Sequence, residues 1–269
     1  MTGLIFDDDY LDPDVAYLLG MIVARGTLLD RQPARQIIIE FPYQNLEIEL
    51  EQGTERPFPI NVPQSIELGL SRIRERVLEL MDCDVSINKL DNNFHMVMTL
   101  TRRTLAWRNI LLHLNNKTSF RHMNIPAALS HSSATTDMRM EFIRGYADVA
   151  GNVRRANRYR DGRNRVRLDV LNDNWHLPVQ LCRLLQDFLD IPVQLITWGH
   201  PSLGRGMREH QINIFVKPFA RVGFSFEHKQ RALLTLIEQD ADKPNRYQPC
   251  PGRRRLRKAK PFTPDAESE

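Results

Sequence analysis

The chain has 269 residues, 42% of them hydrophobic, and a formal net charge of +4, enough for one large domain or two small ones with a real core. It holds no run of about 18 apolar residues, which speaks against a membrane span, and its acidic start, MTGLIFDDDYLDPD, lacks the basic region of a secretory leader. Cys83, Cys182 and Cys250 lie far apart with no metal-binding spacing, which fits a reduced, cytoplasmic protein.

In chain order, AYLLGMIVARGTL (16–28) reads as the end of a helix running into a strand, with Gly20 and Gly26 as punctuation. TLLDRQPARQIIIEFP then holds two short strands around a turn near Pro33. An acidic stretch, NLEIELEQGTE (45–55), follows. A helix begins near Asn61, a plausible cap with Pro63 in the first turn, and Ile66, Leu70, Ile73, Val77 and Leu80 recur at helical spacing. DVSINKL and FHMVMTLT read as strands, and 102–114 as a closing helix. The turn-rich stretch 115–136 is a linker.

The second half repeats this order. EFIRGYADVAGNV (141–153) is again a helix end with Gly145 and Gly151. Strands flank Asp161-Gly162, a hairpin signal. A helix over about 175–189, the strands PVQLITW and HQINIFVK, and a helix over about 226–239 complete it. Gly20 and Gly145 are 125 residues apart, as are Gly26 and Gly151. The expected organisation is therefore a first repeat over 1–114, with a loop insertion at about 43–60. The linker 115–136, a second repeat over 137–240 and a flexible basic tail over 241–269 follow.

LLGMIVARG (18–26) and IRGYADVAG (143–151), each heading the same element order, resemble the two motifs of single-chain LAGLIDADG homing endonucleases. NIPAAL ahead of the second motif and FARVGFSFEHKQRALL near the end add to the resemblance, which covers roughly 12–240. It implies an α+β fold: two pseudo-symmetric αββαββα repeats, forming a saddle of two antiparallel sheets backed by helices. Gly20, Ala24 and Gly145 would let the motif helices approach closely, and Gly26 and Gly151 would end them with a positive φ. In nucleases of this family a carboxylate just before each final glycine holds Mg2+, a hard ion that takes oxygen ligands. Here those positions are Arg25 and Ala150. Guanidinium and methyl groups cannot ligate the ion. Asp148 stands two residues earlier, rotated by about 200° on the helix. It reads as a hydrogen bonder or, less naturally, as a relocated ligand. Arg25 would lie near central phosphates, or pair with a neighbouring acid.

Between Gly151 and Val170 seven arginines face two acids, a bias suited to a polyanion. Arg165, Arg167 and Asp169 alternate with Val166, Leu168 and Val170, so one strand face is basic. Arg154, Arg158 and Arg163 are expected at phosphates, and Gln211, Asn213 and Lys217 in a second row, with Phe215 in that row or at a domain seam. In the first half the outward positions are Gln36 and Glu40. The acidic segment 45–55 would face away from DNA or meet a protein partner, and the tail would serve as a DNA arm or a solubility segment.

The resulting expectation is a sequence-specific double-stranded DNA-binding protein on a LAGLIDADG scaffold, nucleoid-associated and without nuclease activity or a cofactor. The alternatives are an Mg2+-dependent endonuclease with a displaced site, and an RNA maturase-like binder.

Overall fold

Helix α1 (Pro13–Arg25) starts where the Asp12 carboxylate accepts from the Val15 amide at 2.8 Å and Pro13 occupies a first-turn position that needs no donor. It runs directly into β1 (Gly26–Asp30). The computed structural model describes residues 11–31, 34–48, 60–100, 104–155, 164–171, 175–197 and 209–240. The remaining described elements of the first half are β2 (Arg35–Pro42), α2 (Tyr43–Leu46), α3 (Val62–Leu80), β3 (Asp84–Lys89), β4 (Asn93–Leu100) and α4 (Leu105–His113). The second half has α5 (Thr136–Ala150), β5 (Gly151–Arg154), β6 (Arg165–Leu171), α6 (His176–Arg183), β7 (Val193–Thr197), β8 (Glu209–Phe215), α7 (Val216–Phe219) and α8 (Glu227–Gln239). Asn61, Thr104 and Thr135 cap α3, α4 and α5 through their side-chain oxygens.

The two sheets are antiparallel and have the same plan, β1-β2-β4-β3 and β5-β6-β8-β7. Alternation builds each face. Ile37, Ile39 and Phe41 of β2 and Phe94, Met96, Met98 and Leu100 of β4 point into the core. Val153, Val166, Leu168, Val170, Ile212 and Ile214 do so in the second sheet. One hydrophobic core runs through both halves.

The halves meet along α1 and α5. A Cβ on Gly20 would lie 2.1 Å from the Phe142 carbonyl oxygen, and one on Gly145 would lie 2.1 Å from that of Tyr17. Tyr17 and Phe142 are themselves 125 residues apart, so the contact is reciprocal about a pseudo-twofold axis. Ala24 is buried in the same helix. Gly26 and Gly151 depart from expectation. Their φ angles are −92° and −96°, so both helices end in extended backbone without a left-handed turn. Glycine is needed there for space: a Cβ would sit 2.6 Å from the Ile22 oxygen or 2.4 Å from the Ala147 oxygen, as the chain bends tightly back over its last turn.

The expected insertion at 43–60 also begins differently. Residues 43–46 are not loop but α2, which clasps the second half. Gln44 accepts through its carbonyl from Asn152 Nδ2 at 2.8 Å, and the Leu46 carbonyl accepts from His228 Nε2 at 2.7 Å. A carbonyl only accepts, so Nε2 carries the imidazole proton and Nδ1 accepts from the Ser65 hydroxyl at 3.0 Å. Residues 49–59, most of the acidic segment, lie outside the described residues.

Candidate nucleic-acid interface

At the ends of the central helices the groups expected to face each other share a set of neighbours. Asn45, fully buried on α2, donates from Nδ2 to the Ala150 carbonyl at 3.3 Å and to Asp169 Oδ2 at 2.9 Å. Asp169 is also fully buried, and the Arg167 guanidinium grips it with two nitrogens at 2.8 and 3.0 Å. Burial pushes the Asp169 carboxyl up, against the pull of Arg167 and Asn45.

Arg25 is 7% exposed. Burial lowers its pKa, while Tyr146, Asp169, Glu209 and Glu40 favour its charge. Its guanidinium also lies 6.0 Å from the centroid of the Phe120 ring. It is a buried cation among carboxylates of both sheets. Glu40 and Asp169 are equivalent positions: each follows the strand residue paired with the first sheet glycine, Ile39 with Gly26 and Leu168 with Gly151.

Asp148 lies in the core, with no exposed surface. Tyr17 donates its hydroxyl to Oδ2 at 2.7 Å across the helix pair, and the Ser225 amide donates to Oδ1 at 2.9 Å. Both oxygens are therefore engaged away from Ala150. Burial raises the Asp148 pKa, with Lys229 acting in the opposite direction. Lys229, buried on α8, donates to the carbonyls of Asp148 at 2.8 Å and Gly151 at 3.0 Å, with Ala147 at 3.5 Å. Its ammonium satisfies the open carbonyls at the negative end of α5. Tyr17, Asn45 and Lys229 were not picked out from sequence. Lys229 carried a signal, since it falls in phase with Ala232, Leu233 and Leu236 on the buried stripe of α8. Asn45 and Tyr17 carried none.

The DNA-facing residues are placed unevenly. Arg154 and Arg167 are partly exposed on the open face of the second sheet, as is Gln211, which pairs with Asp169. Arg165 and Asn213 share that face but are buried, which corrects their expected exposure. Phe215 lies opposite Arg165, also buried. Lys217 is exposed but is not a strand residue, because β8 ends at Phe215 and Lys217 lies on α7. Gln36 and Glu40 are partly exposed on the open face of the first sheet. Arg158 and Arg163 lie outside the described residues, as does the tail.

A divalent metal does not fit the ends of α1 and α5. Arg25 brings a positive charge and Ala150 no ligand atom, and the described residues contain no group of three side chains able to hold an ion. Two helices joined by reciprocal glycines, each leading into a sheet of the same strand order, complete the arrangement. This is the α+β arrangement of two like repeats that the resemblance to LAGLIDADG endonucleases implies.

Among solved structures, the chain is similar to I-DmoI in complex with DNA and Mn, at 15% identity over 87% of this chain and 98% of that one, with a TM-score of 0.41. It is similar to the N-terminal LAGLIDADG domain of DUF199/WhiA at 15% identity, over 82% of each chain, with a TM-score of 0.42. A third similar structure is LAGLIDADG homing endonuclease I-GzeII in complex with its DNA target, at 9% identity over 88% of this chain and 94% of that one, with a TM-score of 0.39. No protein-family model and no curated protein matches the chain. No helix among the described residues is long and apolar enough to cross a membrane.

Proposed function

We propose that this protein binds double-stranded DNA in a sequence-dependent way on a LAGLIDADG-like scaffold and does not cut it. The observation that carries the reading is the chemistry at the paired helix ends: a buried arginine on one, a methyl group on the other. Two neighbouring acids are committed elsewhere. Asp169 is held by Arg167 and Asn45, and Asp148 by Tyr17 and Ser225. Binding draws on the open face of the second sheet, where Arg154 supplies positive charge and Gln211 can read a base edge. Such a protein belongs in the cytoplasm with the nucleoid, and the acidic segment, expected at 45–55 but buried at Asn45 and Leu46, is its candidate contact for a protein partner beyond Leu46.

The test has two arms. Supercoiled plasmid incubated with Mg2+ or Mn2+ should remain uncut. Duplex selected from a random library should bind, with affinity falling steeply as salt rises. Metal-dependent nicking lost in Asp148→Ala defeats the non-catalytic part. Equal preference for structured RNA defeats the duplex assignment.

A further inference from the structure

β1, β2 and β4 share their register with β5, β6 and β8, so the open-face residues of these strands can be matched between the halves. Thr27 pairs with Ile38, which pairs with Val97. Asn152 pairs with Arg167, which pairs with Asn213. Leu29 stands three residues after Gly26, as Arg154 stands three after Gly151. The equivalents are therefore Leu29 and Arg154, Ile38 and Arg167, and Val97 and Asn213. Three positions that carry two guanidinium groups and an amide in the second half carry only aliphatic groups in the first.

These aliphatic side chains form a strip across β1, β2 and β4, with Ile38 directly opposite Val97. Around them stand Thr27, Gln36, Ser86, Asn88, Asn93, His95 and Thr99, and the acids Glu40 and Asp84. Among the described residues this face has no lysine or arginine. A duplex laid over it would meet no lysine or arginine to displace counterions, and two carboxylates that repel phosphate. The second face is more basic: Arg154, Arg165 and Arg167 stand against Asp169 and Glu209, with Arg167 paired to Asp169, Arg165 buried and Arg154 partly exposed.

We infer that DNA is engaged by the second sheet alone, so that the pseudo-symmetric scaffold reads a single asymmetric half-site. This rests on the DNA-binding reading above. The contacted stretch is about one helical turn, 10–10.5 base pairs, rather than two turns related by a dyad. The duplicated fold then serves the first half as a packing partner for α5 and β5 rather than as a second reader.

The test is the same charge introduced at equivalent positions of the full chain. Arg154→Glu should weaken binding to the selected duplex at least about tenfold, because a phosphate-facing cation becomes an anion. Leu29→Glu, on a half-exposed position, should leave affinity within about twofold. Hydroxyl-radical footprinting of the unaltered protein provides a readout independent of either variant's folding. It should show one protected turn. Equal losses in the two variants, or protection over two turns, overturn the half-site inference and leave DNA binding standing. Failure of the unaltered protein to bind any selected duplex overturns both.

Discussion

Gly20 and Phe142 touch so closely that hydrogen is the only side chain the first can carry: a Cβ would stand 2.1 Å from the Phe142 carbonyl oxygen. The obstacle is backbone, which cannot rotate away. Gly20→Ala and Gly145→Ala should each cost at least about 3 kcal/mol, the upper end of the over-packing range. The double variant should cost less than the sum, because helices forced apart by one methyl already make room for the other. Urea unfolding of the four proteins checks both statements.

Asp148 is predicted to matter for stability and not for phosphodiester chemistry. Removing it leaves the Tyr17 hydroxyl, the Ser225 amide and the Lys229 ammonium without their buried acceptor or counter-charge. Asp148→Ala should lose about 3 kcal/mol or more, since two donors lose their acceptor at about 1–3 kcal/mol each. Tyr17→Phe should lose about 1–3 kcal/mol through the same carboxylate. If Asp148→Ala unfolds at the wild-type urea concentration, the core assignment is wrong.

Stability should depend on pH through two depressed bases. Burial lowers Lys229 from its ordinary 10.5 to about 8. Between those values the unfolded chain binds the proton and the folded chain does not, so stability rises with pH across that window. The full span is on the order of 3 kcal/mol. His228 is lowered from 6.5 to about 4, again by burial first. Its term also rises with pH, from about 4 to 6.5, and is lost on acidification. Asp148 and Asp169 are raised and slope the other way above 3.8. The His228 contribution is therefore read as a difference. The unfolding midpoint of His228→Asn, followed from pH 4 to 6.5, should gain less with rising pH, or fall more, than that of wild type.

The helix ends can be tested by exchange. Wild-type melting temperature should not respond to Mg2+ or Mn2+, since Arg25 and Ala150 offer no ligand. Arg25→Asp combined with Ala150→Asp adds two carboxylates beside Glu40 and Asp169. That variant should be less stable alone and should gain stability with added metal, by mass action on the folded form. A metal-dependent shift already present in wild type would contradict the assignment of these helix ends as unable to hold metal.

The α+β fold class was legible because its signals are local. Apolar periodicity marked α3, and the alternation in β4, β6 and β8 marked the sheet faces. The fates of individual charges were not. Asp169 looked like an outward partner of Arg165 and Arg167, yet it is fully buried under Asn45, 124 residues away. Gly26 and Gly151 looked like left-handed caps, but only the folded path showed that the exclusion comes from Ile22 and Ala147.

By itself, then, the sequence determined a duplicated helix–sheet plan and the absence of acids before Gly26 and Gly151. Both follow from residue identity and short-range spacing. Tertiary structure alone decided that Arg25 is a buried cation among acids of both sheets, and that Asp148 is a core acceptor for a tyrosine 131 residues away. A charge takes its role from its desolvation and its partners, and here both come from segments that meet only when the two halves close on each other.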